Sequence, residues 1–156
     1  MNRRQQTLVT PQGYQKLEQE LDYLRTTRRQ QVAHRLHKAL AEGDVLENAE
    51  LEAARNEQAF VEGRILTLIN MLGNAVIIES QGPRETVGLG SQVTVVEGNE
   101  PPETYHIVGS VEADPLKGLI SNESPMGQAL MGRKVGEAAN VNAPAGVMVF
   151  EIVSIQ

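Results

Sequence analysis

From Thr10-Pro11 to about Ala41 the chain runs for roughly 30 residues with no further proline and only Gly13 near the start. Thr10 reads as a helix N-cap, with Pro11 at the first helical position. Apolar residues Tyr14, Leu17, Leu21 and Leu24 then follow three-four spacing, Arg28 interrupts, and Val32, Leu36, Ala39 and Leu40 resume it. The two four-residue steps from 28 to 32 to 36 resemble a stutter in a coiled-coil repeat. A second run, Leu51, Ala54, Gln58, Val61, Ile65, Leu68 and Leu72, alternates three and four residues with one polar lapse, the pattern of a coiled-coil seam. Gly43 interrupts the first helix, and Gly73-Asn74 is expected to supply a left-handed stop after the second. Two arms of similar length around a short break predict an antiparallel helical hairpin rather than a dimerising coiled coil. At 1.5 Å per residue such an arm spans about 45 Å, far beyond a helix of average length.

After Asn74 the period becomes that of strands. Ala75 to Ile78, Gln92 to Val96, Tyr105 to Val108 and Val147 to Ile155 are rich in β-branched residues and bounded by Gly, Pro or Asn. Ser124-Pro125 reads as a cap and first-turn proline of one short helix, with Gly132 just beyond it. The chain of 156 residues is thus expected to be α+β with two domains. Residues 1–74 form the hairpin, 75–90 a first strand and linker, and 91–156 a sheet domain. The linker proper runs from Glu79 to Gly90. With no Trp, two Phe and three Tyr, the core must be aliphatic. The absence of cysteine excludes disulfides, thiolate metal sites and Cys nucleophiles. No apolar run approaches the roughly 18 residues of a membrane span, and Met1 to Thr10 lacks the apolar stretch of a signal peptide, so a soluble cytoplasmic protein is expected.

The net charge of −6 is unevenly placed: residues 1–74 hold ten basic and ten acidic side chains, and 75–156 hold four and ten. Within the first half, Arg25, Arg28, Arg29, Arg35 and Lys38 run without an acid, then Glu42, Asp44, Glu47, Glu50 and Glu52 run without a base. A solvated face with helix-end charges accounts for this as readily as a function does. An acidic chain is poorly suited to bind free nucleic acid through bulk electrostatics.

Asp44 and Glu47 stand three residues apart, the spacing of a capping box in which Asp44 caps the returning helix and Glu47 reaches back. Spacing alone favours that reading. Against it stand three more acids at the same end, and Val45 and Leu46 where a hairpin tip should be polar. Oxygen-only ligands suit Mg²⁺ or Mn²⁺, and two carboxylates become useful if another protein supplies the remaining ligands of a two-metal phosphoryl site. His34 and His37 lack a completing carboxylate and read as surface residues, and His106 as a sheet-face residue. Gly88 and Gly90 lack the following helix of a phosphate loop.

The segments LVTPQGYQKLEQELDYL, GDVLENAE, AARNEQAFVEGRI, YHIVGSVEAD, ISNESPMGQALMGRKVG and FEIVSI together resemble the Gre family of bacterial transcript cleavage and elongation factors. The resemblance covers nearly the whole chain. It implies an N-terminal antiparallel coiled coil and a C-terminal FKBP-like antiparallel β-sheet domain with a short helix. It further implies docking of that domain at the rim of the secondary channel of bacterial RNA polymerase, with the coiled coil inside the channel. The tip acids, here Asp44 and Glu47, would help hold a second Mg²⁺ and the attacking water as the polymerase cleaves the extruded 3′ end of nascent RNA in backtracked complexes. On this reading the protein is a monomer, not an enzyme, touches no membrane and has no intrinsic cofactor, the Mg²⁺ being shared with the polymerase. The family's neighbouring asparagine and glutamate match Asn48 and Glu50, and Arg28, Arg29, Arg35 and Lys38 match in type the basic residues that face RNA. Three positions depart from the family: Leu40 replaces a basic residue, Leu46 a polar or basic one and Leu51 an aromatic. These leucines leave room for a channel binder that modulates or inhibits polymerase without promoting cleavage. A prolyl isomerase would need an aromatic pocket, for which this half offers only Tyr105 and Phe150. A coiled-coil adapter would leave the paired tip acids unexplained.

Overall fold

The computed structural model describes residues 6–42, 48–79 and 84–156. The expectations placed on Gly43, Asp44, Val45, Leu46, Glu47 and Gly82-Pro83 therefore lie outside the described residues. The chain divides into two compact units, one containing residues 6–13 with Ala75–Gln156 and the other Tyr14–Asn74. The expected division after residue 74 stands, and the correction is at the other end, where residues 6–13 leave the hairpin for the sheet unit. The first residues of the chain's helical half belong to the sheet unit, because strand β1 (Thr7–Val9) pairs in parallel with β2 (Ala75–Ile77), Leu8 opposite Val76.

In the helical unit, α1 (Pro11–Tyr23) passes through a π-helical segment, Leu24–Arg28, into α2 (Arg29–Glu42), and α3 (Ala49–Gly73) returns. Leu17, Leu24, Val32 and Ala39 of the outgoing arm are buried, as are Leu51, Ala54, Val61, Ile65 and Leu68 of α3. Leu24 and Val32 are eight residues apart, which in a regular α-helix would rotate Val32 about 80° off the seam. The π turn takes up the extra residue and returns Val32 to the same side. The stutter read in the sequence at 28 to 32 to 36 begins where this turn ends, so the irregularity lies one turn earlier than the spacing placed it. Arm-to-arm pairs Glu20 with Arg64, Arg28 with Glu57 and Arg35 with Glu50 show the antiparallel sense.

The end of α3 differs from expectation. No left-handed residue occurs at Gly73 or Asn74; Asn74 has φ −111° and ψ 9°, and its side-chain amide donates to the Asn70 carbonyl at 2.9 Å. A polar cap replaces the glycine stop because the chain passes directly into β2 at Ala75.

The sheet unit holds β3 (Gln92–Glu97), β4 (Glu103–Val108), β5 (Leu119–Ser121), the short helix α4 (Pro125–Leu130), β6 (Ala138–Ala143) and β7 (Gly146–Ile155). Strand order is β5-β4-β3-β7-β6, antiparallel except for the parallel β4–β5 edge. Val93 and Val95, Ala139 and Val141, and Phe150 and Ile152 alternate inward into an aliphatic core with Leu130. A bulge opposite Thr94 and Val95 shifts the phase of β7, so Ile155 turns inward where strict alternation would bury Ser154. Ser124 caps α4 by accepting from the Gly127 amide at 3.0 Å, with Pro125 at the first position, as its sequence predicts. The expected linker is shorter than Glu79 to Gly90: Val87 and Leu89 are core residues, and Thr86 bridges to Lys134. Among the described residues, no helix is long and apolar enough to cross a membrane.

Candidate functional site

The arm end nearest Asp44 and Glu47 is closed by Asn48. Its side-chain oxygen accepts from the Leu51 amide at 3.1 Å, as an N-cap does, and its side-chain nitrogen donates to the Ala39 carbonyl of α2 at 2.9 Å. One amide thus starts α3 and ties it to the opposite arm. The capping role that spacing assigned to Asp44 falls to Asn48, four residues later. Beneath it Leu51, Ala54 and Ala39 are buried, so Leu51 is a packing residue. Leu40, by contrast, is 47% exposed.

Farther along the arms, the separation of sign seen in the sequence becomes pairing across the hairpin. Arg29 grips Glu62 with two bonds of 2.8 Å, and Arg64 grips Glu20 at 2.6 and 2.8 Å. Arg35 donates to Glu50 at 2.5 Å and to Glu57 at 2.7 Å, and Arg28 pairs with Glu57 as well. Glu50 is held below the usual carboxylate range by the hydrogen bond from Arg35, then by that charge and by Lys38. Glu62 is lowered by its hydrogen bond from Arg29. Both arginines are correspondingly raised.

Of the sequence candidates, Arg28, Arg29, Arg35 and Glu50 are therefore joined in inter-arm ion pairs, with Lys38 close enough to act on Glu50. The arginine side chains remain 40–47% exposed, so their outer edges still face solvent. Asp44 and Glu47 lie outside the described residues. Glu57 was missed by sequence reasoning, which gave the seam position to Gln58; Gln58 is exposed and Glu57 half-buried. The available signal was Arg28, a base in the facing seam that calls for an acid. His34, His37 and His106 are all exposed, and among the described residues no group of three or more His, Cys, Asp or Glu side chains is placed to hold a metal.

Two family models match in tandem: the N-terminal domain of the GreA/GreB transcription elongation factors over residues 7–77, and their C-terminal domain over 82–156. The chain belongs to the GreA/GreB transcription elongation factor family. It is 52% identical over 150 residues to the transcription elongation factor GreA of Bacillus subtilis (strain 168), covering 94% of each chain. It is 48% identical over 158 residues to the GreA of Clostridium novyi (strain NT), covering 100% of this chain and 99% of that one. Among solved structures, GreA factor homolog 1 (Gfh1) of Thermus thermophilus matches 97% of this chain and 99% of its own, at 33% identity and a TM-score of 0.45.

Proposed function

We propose that this chain binds bacterial RNA polymerase, extends its helical hairpin into the secondary channel and stimulates cleavage of backtracked nascent RNA by the polymerase's own active site. It is an accessory factor and not itself the catalyst. Family membership over both halves of the chain supports the class of function. The observation that carries the finer reading is Asn48. Because it caps α3 and braces α2, the cap of the returning helix requires neither Asp44 nor Glu47. The 25 residues of α3 give an arm about 38 Å long.

Asp44 and Glu47 offer hard oxygen donors of the kind Mg²⁺ takes, and are too few to hold it without ligands from the polymerase. A second Mg²⁺ so placed would stabilise charge on the attacking or leaving oxygen. Arg28, Arg29, Arg35 and Lys38 hold the arms together while offering positive charge to the RNA 3′ end. The sheet unit docks on the channel rim, and the factor acts as a cytoplasmic monomer.

A stalled, backtracked complex in Mg²⁺ buffer tests this directly. Added protein should shorten the RNA from its 3′ end, and Asp44→Ala and Glu47→Ala should each abolish the effect while preserving binding. Binding without any cleavage by the unaltered protein would sink the proposal. The exposed Leu40 favours one rival, a channel binder that slows ordinary elongation without promoting cleavage, and a run-off assay separates the two.

A further inference from the structure

The chain has two Phe and three Tyr, and two of these rings, Tyr23 and Phe60, stand out from the hairpin 49% and 73% exposed. The inter-arm pairing puts them on one side. Glu20 and Arg64 grip each other across the arms; Tyr23 follows Glu20 by three residues and Phe60 precedes Arg64 by four, spacings that keep helical neighbours on one face. Because the arms are antiparallel, both steps lead away from that pair in the same direction, toward Glu42 and Ala49. One turn farther on, Arg28 ends the π turn that begins after Tyr23, Glu57 precedes Phe60 by three, and these two are again paired. Two exposed rings therefore lie between two ion pairs on one face of the helical unit.

Rings gathered on one face mark a binding surface, unlike apolar residues exposed singly. The charge beside them says what binds. Both oxygens of Glu57 are taken, Oε1 by Arg28 and Oε2 by Arg35, and its side chain is 18% exposed against 40% and 43% for theirs. Arg35 also reaches Glu50, two turns farther along α3. The acid next to the rings is thus covered and saturated, and guanidinium edges face outward over it. Aromatic faces beside outward cations are the two parts by which single-stranded nucleic acid is held without sequence preference. We propose that Tyr23 and Phe60 form a stacking platform for unpaired bases of the extruded transcript, with Arg28 and Arg35 taking the adjoining phosphates. The proposal rests on the function argued above and adds a binding surface to it. Phe60 lies about 17 Å along the helix from Ala49, at 1.5 Å per residue, so the bases it takes are extruded well beyond the phosphodiester being cut. The platform holds RNA and touches no reacting atom.

The test reads contact and function separately. In a polymerase complex backtracked by several nucleotides, 5-iodouridine in the extruded segment should crosslink to Tyr23 or Phe60, with Asp44→Ala protein used so that the transcript stays uncut. The double variant Tyr23→Leu, Phe60→Leu, made in the otherwise unaltered chain, keeps apolar bulk and removes the stacking faces. It should raise the half-saturating concentration for cleavage about tenfold, while RNA backtracked by one nucleotide, too short to reach the rings, is cleaved as before. Phe60→Tyr should behave as the unaltered protein. Both positions are exposed, so these variants should melt with the unaltered protein. No crosslink to either ring, or a leucine variant indistinguishable from the unaltered protein, overturns the proposal. An equal loss on both RNAs assigns the rings to the polymerase wall and overturns it too. Cleavage by the unaltered protein keeps the two readings apart: cleavage without a crosslink overturns the platform alone, whereas a crosslink without cleavage overturns the stimulating role and leaves the platform standing.

Discussion

Arg28, the last residue of the π turn on the outgoing arm, forms an ion pair with Glu57 on the returning arm, and Glu57 also takes a bond from Arg35. The Glu57 side chain is 18% exposed, which shields the pairing from solvent more than a surface contact would be. Glu57→Gln should therefore lower the hairpin's melting temperature by a few degrees, since two arginines would then face each other without an acid. A double-mutant cycle with Arg28→Ala checks it. Additive losses would show that the pair carries no coupling.

Removing the cap should act at a different place. Asn48→Ala loses both the bond from the Leu51 amide and the bond to the Ala39 carbonyl, and should cost about 1 kcal/mol, within the range for N-cap removal. Hydrogen exchange at Leu51 should accelerate more than at Leu68. Uniform acceleration along α3 would mean that Asn48 does not fix this end.

Acid should loosen the hairpin. Glu50 and Glu62 have pKa values below the ordinary 4.5, through the bonds from Arg35 and Arg29. A depressed carboxylate stabilises the fold above its unfolded pKa, and that contribution is lost as pH falls through the folded value. The melting temperature should be insensitive to these groups at neutral pH and decline below 4.5, modestly and less at high salt because both pairs are exposed. In the double variant Glu50→Gln, Glu62→Gln the decline should be shallower; an identical acid limb would exclude these pairs as its source.

Leu40 and Leu51, both read in the sequence as departures from the family pattern, should separate stability from activity. Leu51 is 2% exposed, so Leu51→Ala should cost about 2–4 kcal/mol as a core truncation. Leu40 is 47% exposed, and Leu40→Lys should leave stability within about 0.5 kcal/mol while raising the cleavage rate. A Leu40→Lys protein that melts normally and cleaves no faster would remove this position from the account of efficiency.

Much of the helical unit was legible in the sequence because seam residues repeat with a period that only a helix satisfies. The π turn left a trace in the two four-residue steps from 28 to 32 to 36, which begin at its last residue. The strands that escaped notice, Leu119–Ser121 among them, are either too short to show a period or made of residues with little intrinsic preference. Ala138–Ala143 reads AANVNA, and is a strand because β7 pairs along its length; Thr7–Val9 is three residues whose partner lies in β2, far along the chain. Side-chain commitments were the least legible. The basic run from Arg28 to Lys38 has the composition of a nucleic-acid contact, while the positions of Glu50, Glu57 and Glu62 opposite it emerge only when the arms are set in register. Asn48 looked like a neighbour of the tip acids and is the residue that caps the helix after them.

The parallel pairing of β1 with β2 has a consequence for the order in which the molecule is built. The hairpin is contiguous in the chain, whereas the sheet unit needs segments from both sides of it and is threaded through the middle by β7, which bonds to β3 and β6 together. As synthesis proceeds, the rod has every residue it requires before that strand has been made. For part of its time on the ribosome the nascent molecule would present a finished arm on an unfinished base.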